Sequence, residues 1–96
     1  MFARFAYYGA PGVSREQAVK FFRDKVLRDL SAMDGFQEAM LLVSDDTDEV
    51  LAVSLWDTVE HIRAAEEKTA PHREARDRMG GERSSMKVYE IAHRSP

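Results

Sequence analysis

The stretch Val50-Leu51-Ala52-Val53-Ser54-Leu55-Trp56-Asp57-Thr58-Val59-Glu60-His61-Ile62-Arg63-Ala64-Ala65-Glu66-Glu67 decides the fold, because an apolar strand ends on the chain's single tryptophan and turns directly into a helix. Side chains alternate along a strand, so Leu51, Val53 and Leu55 share one face, and Val50, Ala52, Ser54 and Trp56 share the other. Both faces are apolar and both need cover. Asp57 is placed to cap the free amide hydrogens of the helix that follows, with Glu60 as the reciprocal half of a capping box.

Upstream, Phe2 to Tyr8 is rich in aromatics and is stopped by Gly9-Ala10-Pro11-Gly12, which reads as a first strand. Ser14 and Gln17 form a capping box, and Val19, Phe22, Val26, Leu30 and Met33 recur at helical spacing. That pattern predicts an amphipathic helix of about four turns, closed near Asp34-Gly35, where glycine permits a left-handed turn. Phe36 to Val43 is the second strand, joined to the third by the acidic turn Asp45 to Glu49 at a length suited to a hairpin. The turn lacks the glycine and the far-end acid of a calcium loop. Beyond the central stretch, the helix runs to about Lys68. Thr69 and Pro71 can start a second helical piece that ends before Gly80-Gly81, and Met86 to His93 alternates as a fourth strand.

The resulting order, strand-helix-strand-strand-helix-strand, is the α+β, ferredoxin-like split βαβ pattern with a four-stranded antiparallel sheet. Residues 1–96 form a single domain on this reading. Helices can cover one sheet face, and the simplest cover for the other is a second copy of the chain, so a homodimer through the sheet face is expected.

Composition narrows the function classes. Fourteen basic against seventeen acidic residues leave a net charge of -3, which argues against a nucleic-acid surface. The basic residues between His61 and Arg83 alternate with acids, as on a solvated helical face. No cysteine is present, so there is no disulfide frame and no thiolate metal site. Three scattered histidines lack the clustered spacing of a zinc or iron site. The first eight residues are too short an apolar run for a signal or membrane segment, and a cytoplasmic location without membrane contact is expected.

A glycine-phenylalanine opening to the second strand, a hairpin, and a strand ending Val53-Ser54-Leu55-Trp56-Asp57 before a helix together resemble the antibiotic-biosynthesis-monooxygenase-like domains. The resemblance covers nearly the whole chain and implies a dimeric α+β barrel. It also implies a scaffold used for cofactor-independent oxidation of aromatic polyketides and for haem breakdown. In the quinone-forming members the site comprises a strand-end tryptophan, an asparagine one step earlier on the same face, a tyrosine and a helix arginine. Trp56 matches the first and Arg76 the last, while the asparagine position falls on Ala52 and the tyrosine position near Ile62. The haem-degrading set fits less, since its helix positions fall near Ala65 and near Ala75 or Arg76. The chain contains no asparagine, so both catalytic sets are incomplete.

The candidate catalytic residues are therefore Trp56, Arg76 and His72, with Tyr8, Ser54, Trp56, His61 and Tyr89 as candidate substrate contacts. Trp56 can stack on a flat ligand, with Ala52 and Ser54 leaving room beside it, or it can fill the core. Histidine is the side chain type suited to moving protons near neutral pH, so His61, His72 and His93 can be proton shuttles, or they are surface residues, none having an acid at a spacing that forces contact. Tyr8 and Tyr89 can donate to a carbonyl oxygen or pack across the sheet. No haem, flavin or metal is expected, for want of a placed ligand or a glycine-rich phosphate loop. The activity these residues suggest is oxidation of a flat aromatic or quinone-type substrate without a cofactor. The alternative is a non-catalytic dimeric ligand-binding or structural module.

Overall fold

The computed structural model describes residues 1–9, 14–47, 49–71 and 82–96, with side chains described outside 7–9 and 82–85. Four strands, β1 (Phe2–Gly9), β2 (Phe36–Val43), β3 (Glu49–Trp56) and β4 (Glu82–Glu90), form one sheet in the order β2-β3-β1-β4. Every neighbouring pair is antiparallel, as the ferredoxin-like arrangement requires. The last strand lies earlier than its apolar alternation suggests. It begins at Glu82 and ends at Glu90, so Ile91 to His93 lie beyond it.

The first helical region starts as expected. Ser14 accepts from the Gln17 amide at 3.1 Å, and the Gln17 side chain accepts from the Ser14 amide at 3.2 Å, a complete capping box. It is not one continuous α-helix, however. An α segment, α1 (Arg15–Phe21), passes into a π-helical turn at Phe22–Val26 and then into α2 (Leu27–Ser31). The Leu27 amide donates to the Phe22 carbonyl, five residues back. A π turn inserts one residue into the helical phase, which rotates the upstream part of the apolar stripe. Val26, Leu30 and Met33 pack on the core as their spacing predicts, whereas Val19 is exposed and Ala18 is half-buried. Gly35 has φ of 81° and closes the region where a left-handed residue is needed.

The second long helix, α3 (Val59–Lys68), has Thr58 and not Asp57 at its N-cap; the Thr58 hydroxyl accepts from the His61 amide at 3.2 Å. Glu60 sits in its first turn, where a negative charge favours the helix dipole.

Strand register sorts the sheet into two faces. On one face Phe2 lies opposite Trp56, Arg4 opposite Ser54 and Ala6 opposite Ala52. Helices cover this face: Trp56 packs with Leu30 from α2 and with Ile62 and Ala65 from α3, and Phe2, Val26, Met33, Phe36 and Ala39 close around them. The other face carries a second apolar cluster of Ala3, Val53 and Leu55, flanked by Phe5, Leu51 and Ile91. No described helix residue belongs to that cluster. Met40, Leu42 and Tyr89 are exposed, and strand register and alternation place them on that same face.

Candidate functional site

Trp56 ends β3, where the pleat turns its ring under α2 and α3, and it has no exposed surface. Its ring meets Phe36 edge-on, with centroids 5.4 Å apart and planes at 76°. A buried indole N–H needs an acceptor, and Ser54 Oγ supplies one at 2.8 Å. Ser54 is itself the one buried polar residue among those described, and the indole bond is what makes its burial tolerable.

Across from Ser54 on β1 stands Arg4. Its side chain is 14% exposed, and Nε donates to Glu66 Oε1 of α3 at 3.3 Å. Nothing local in the sequence signals this pair, because the partners are 62 residues apart. Beyond Arg4 on the same face lie Ala6 and Ala52, paired across β1 and β3. Ala6 is fully buried, whereas Ala52 stays half-buried although its strand is internal to the sheet. The helix-covered face therefore presents a tryptophan, a hydroxyl and a guanidinium beside positions no taller than a methyl group.

A second polar pair lies at the β3–α3 junction. His61 Nδ1 and Asp57 Oδ1 are 2.7 Å apart, which corrects the expectation that His61 lacks an acidic partner. Asp57 gives up the capping position to Thr58 and makes this contact instead, while its amide donates to the Gly35 carbonyl at 3.0 Å. The hydrogen bond to His61 holds the Asp57 carboxyl below its ordinary range. The same bond raises the His61 imidazole above its usual value, and the nearby charges of Asp57, Asp34 and Glu60 add to the rise. Both side chains are substantially exposed. The pair thus clamps the turn before β2 to the end of β3, with Nδ1 oriented by the carboxylate.

The remaining candidates separate. Tyr89 stacks edge-on against Phe5, with centroids 5.5 Å apart, on the face opposite Trp56. The Tyr8 backbone pairs with Val50 and Arg83 next to a shift in register, and its side chain lies outside the described residues. His72 and Arg76 also lie outside them. His93 is exposed in the segment after β4. Among the described residues, no group of three or more His, Cys, Asp or Glu side chains is placed to hold a metal ion, and no helix is long and apolar enough to cross a membrane.

No family model matches the chain. The uncharacterized protein Rv2557 of Mycobacterium tuberculosis is 30% identical over 92 residues, covering 96% of this chain and 41% of its own length, so the chain spans about two fifths of that relative. Among solved structures, the monooxygenase ActVA-Orf6 of Streptomyces coelicolor, in complex with Nanaomycin D, aligns with a TM-score of 0.76 at 19% identity, over 99% of this chain and 88% of its own. SnoaB, a cofactor-independent oxygenase of Streptomyces nogalater, aligns with a TM-score of 0.77 at 15% identity, over 99% of this chain and 96% of its own. The sheet order and these alignments agree: the chain has the fold of the antibiotic-biosynthesis monooxygenases.

Proposed function

We propose that this domain binds a flat aromatic or quinone-type molecule on the helix-covered face of its sheet and acts on it as a cofactor-independent monooxygenase. The observation that carries the reading is the half-buried Ala52 beside Ser54, Arg4 and the enclosed Trp56, where a planar ring finds apolar walls and a single polar edge. ActVA-Orf6 holds Nanaomycin D on the same fold, and SnoaB is described as working without a cofactor.

In such a reaction the phenolic substrate supplies all the electrons. Dioxygen accepts four of them as one oxygen atom enters the ring to make the quinone and the other leaves as water. The protein's part is to exclude water and to favour the ionised phenol, which gives up electrons far more readily than the neutral form. Ser54, His61, Tyr8, His72 and Arg76 would supply polar contacts, with the enclosed Trp56 beneath them. The direct test is oxygen uptake with 1-naphthol and 1,5-dihydroxynaphthalene. Enzyme-dependent uptake with stoichiometric quinone is expected, and uptake no faster than the buffer rate with every phenol offered would remove the catalytic part of the proposal.

A second reading, a ligand-binding module without catalysis, has one observation in its favour. Trp56 is fully enclosed and its N–H is already satisfied by Ser54, which is how a purely structural tryptophan looks. Binding of a naphthoquinone without oxygen uptake from the matching naphthol would select it.

The working unit is a homodimer through the open sheet face. On that face Met40, Leu42 and Tyr89 are exposed beside the half-buried Phe5 and Leu51, apolar surface of the kind that marks an association site, and Tyr89 then lies in the interface. Light scattering at micromolar concentration should give twice the chain mass, and Leu42→Glu, a charge placed on that face, should give a monomer. A folded wild-type monomer would contradict the dimer.

A further inference from the structure

Arg4 is incompletely satisfied for a residue so deeply placed. Its side chain is 14% exposed, yet among the described residues its one partner is Glu66, met through Nε alone. A guanidinium carries five N–H donors in a fixed fork, so the four on its two terminal nitrogens have no acceptor among the described residues. Burying charge-bearing donors in that state is costly unless something accepts from them.

Ser54 is in a matching condition. Its oxygen receives the Trp56 N–H at 2.8 Å, and its own hydroxyl proton goes to no described residue. Accepting a hydrogen bond polarises a hydroxyl and makes it a better donor. Arg4 and Ser54 face one another directly across β1 and β3 on the helix-covered side, which puts their β-carbons about 4.5–5.5 Å apart. Two unused donors, one of them permanently positive, thus stand together beside the half-buried Ala52.

We infer that Arg4 and Ser54 form an oxyanion site and that the ligand class is planar compounds bearing an ionised oxygen conjugated with the ring, such as phenolates, enolates and hydroxyquinone anions. The inference rests on the ligand-binding part of the proposed function and narrows it. Glu66 holds the guanidinium in place from α3 and competes with the ligand for its charge.

The test is calorimetric titration with two probes of nearly equal shape: 2-hydroxy-1,4-naphthoquinone, ionised at neutral pH, and its neutral 2-methoxy ether. The wild type should prefer the anion by roughly tenfold or more, the scale of a charge-assisted hydrogen bond. Arg4→Gln should abolish that preference, and Ser54→Ala should reduce it. Glu66→Gln should tighten the anion and not the ether, a gain that general damage to the fold does not produce. The last two variants decide the matter if Arg4→Gln fails to fold. Ether binding with no preference for the anion, a preference that survives in Arg4→Gln, or anion binding weakened in Glu66→Gln would each overturn the inference while leaving the proposed binding site standing. Failure of the wild type to bind either probe would remove both.

Discussion

Replacing Trp56 with alanine is expected to cost about 3–5 kcal/mol of folding stability, the usual penalty for emptying a fully buried aromatic site. The indole has no exposed surface and is held by Leu30 on one helix, Ile62 and Ala65 on another, and Phe36 on the neighbouring strand. Its removal opens a cavity where α2, α3 and the sheet meet. It also leaves the buried Ser54 hydroxyl without its donor, a second and independent cost. For a domain of this size each kcal/mol shifts the melting temperature by about 4–8 °C, so a fall of roughly 12 °C or more should be seen by thermal unfolding. Phenylalanine at the same position should cost less, about 1–3 kcal/mol, because it refills most of the volume. A loss below about 1 kcal/mol on going to alanine would mean that Trp56 is a ligand-facing residue and not a keystone of the core.

Gly35→Ala is the second large effect. Gly35 has φ of 81°, and a methyl group there would collide with both the Asp57 carboxylate and the His61 ring. The strained backbone alone costs about 1–3 kcal/mol, and the collision forces the Asp57–His61 pair apart.

The loss should depend on pH. His61 has a raised folded-state pKa, so its contribution is complete below the ordinary histidine value and fades as pH rises through the raised one. Asp57 has a lowered pKa, so its contribution is complete above the ordinary carboxylate value and fades as pH falls through the lowered one. The pair therefore stabilises most in mildly acidic solution, modestly because both side chains are exposed. In Gly35→Ala the His61 titration, followed by NMR, should move back toward the ordinary histidine range. An unchanged His61 titration in a folded variant would show that the clamp does not depend on the glycine.

Much of the fold is visible in local patterns because those patterns report local physics. Phe36 to Val43 is an apolar-rich run bounded by Gly35 and the acidic turn, and it is a strand over those residues. Ser14 and Gln17 have the spacing of a capping box and form one. Where two local solutions are nearly equal, the pattern is silent: Asp57 and Thr58 are both good caps, and Thr58 takes the role while Asp57 pairs with His61 four residues on. The π turn is equally hidden, since the adjacent Phe21 and Phe22 let the apolar stripe continue under either phase. β4 begins in the polar run from Glu82 because pairing with β1 sets its start, not its own hydrophobicity.

The candidate site divides in the same way. Trp56 and Ser54 stand out because they end a strand on a shared face. Arg4 does not, because a lone arginine inside an aromatic strand acquires meaning only when β3 and α3 place Ser54 and Glu66 against it. Long-range pairing of that kind leaves no spacing to read.

The central claim, that a flat ligand sits on the helix-covered face beside Trp56, can be put to the chain's single indole. In a proton–nitrogen correlation spectrum Trp56 gives one isolated indole resonance, and its N–H is bonded to Ser54. Titration with 2-hydroxy-1,4-naphthoquinone should move that resonance, together with the amides of Ala52 and Ser54, to saturation, while amides of the first helical region around Lys20 and Arg23 stay still. An indole resonance that does not move while other residues respond would place the ligand elsewhere and contradict the account.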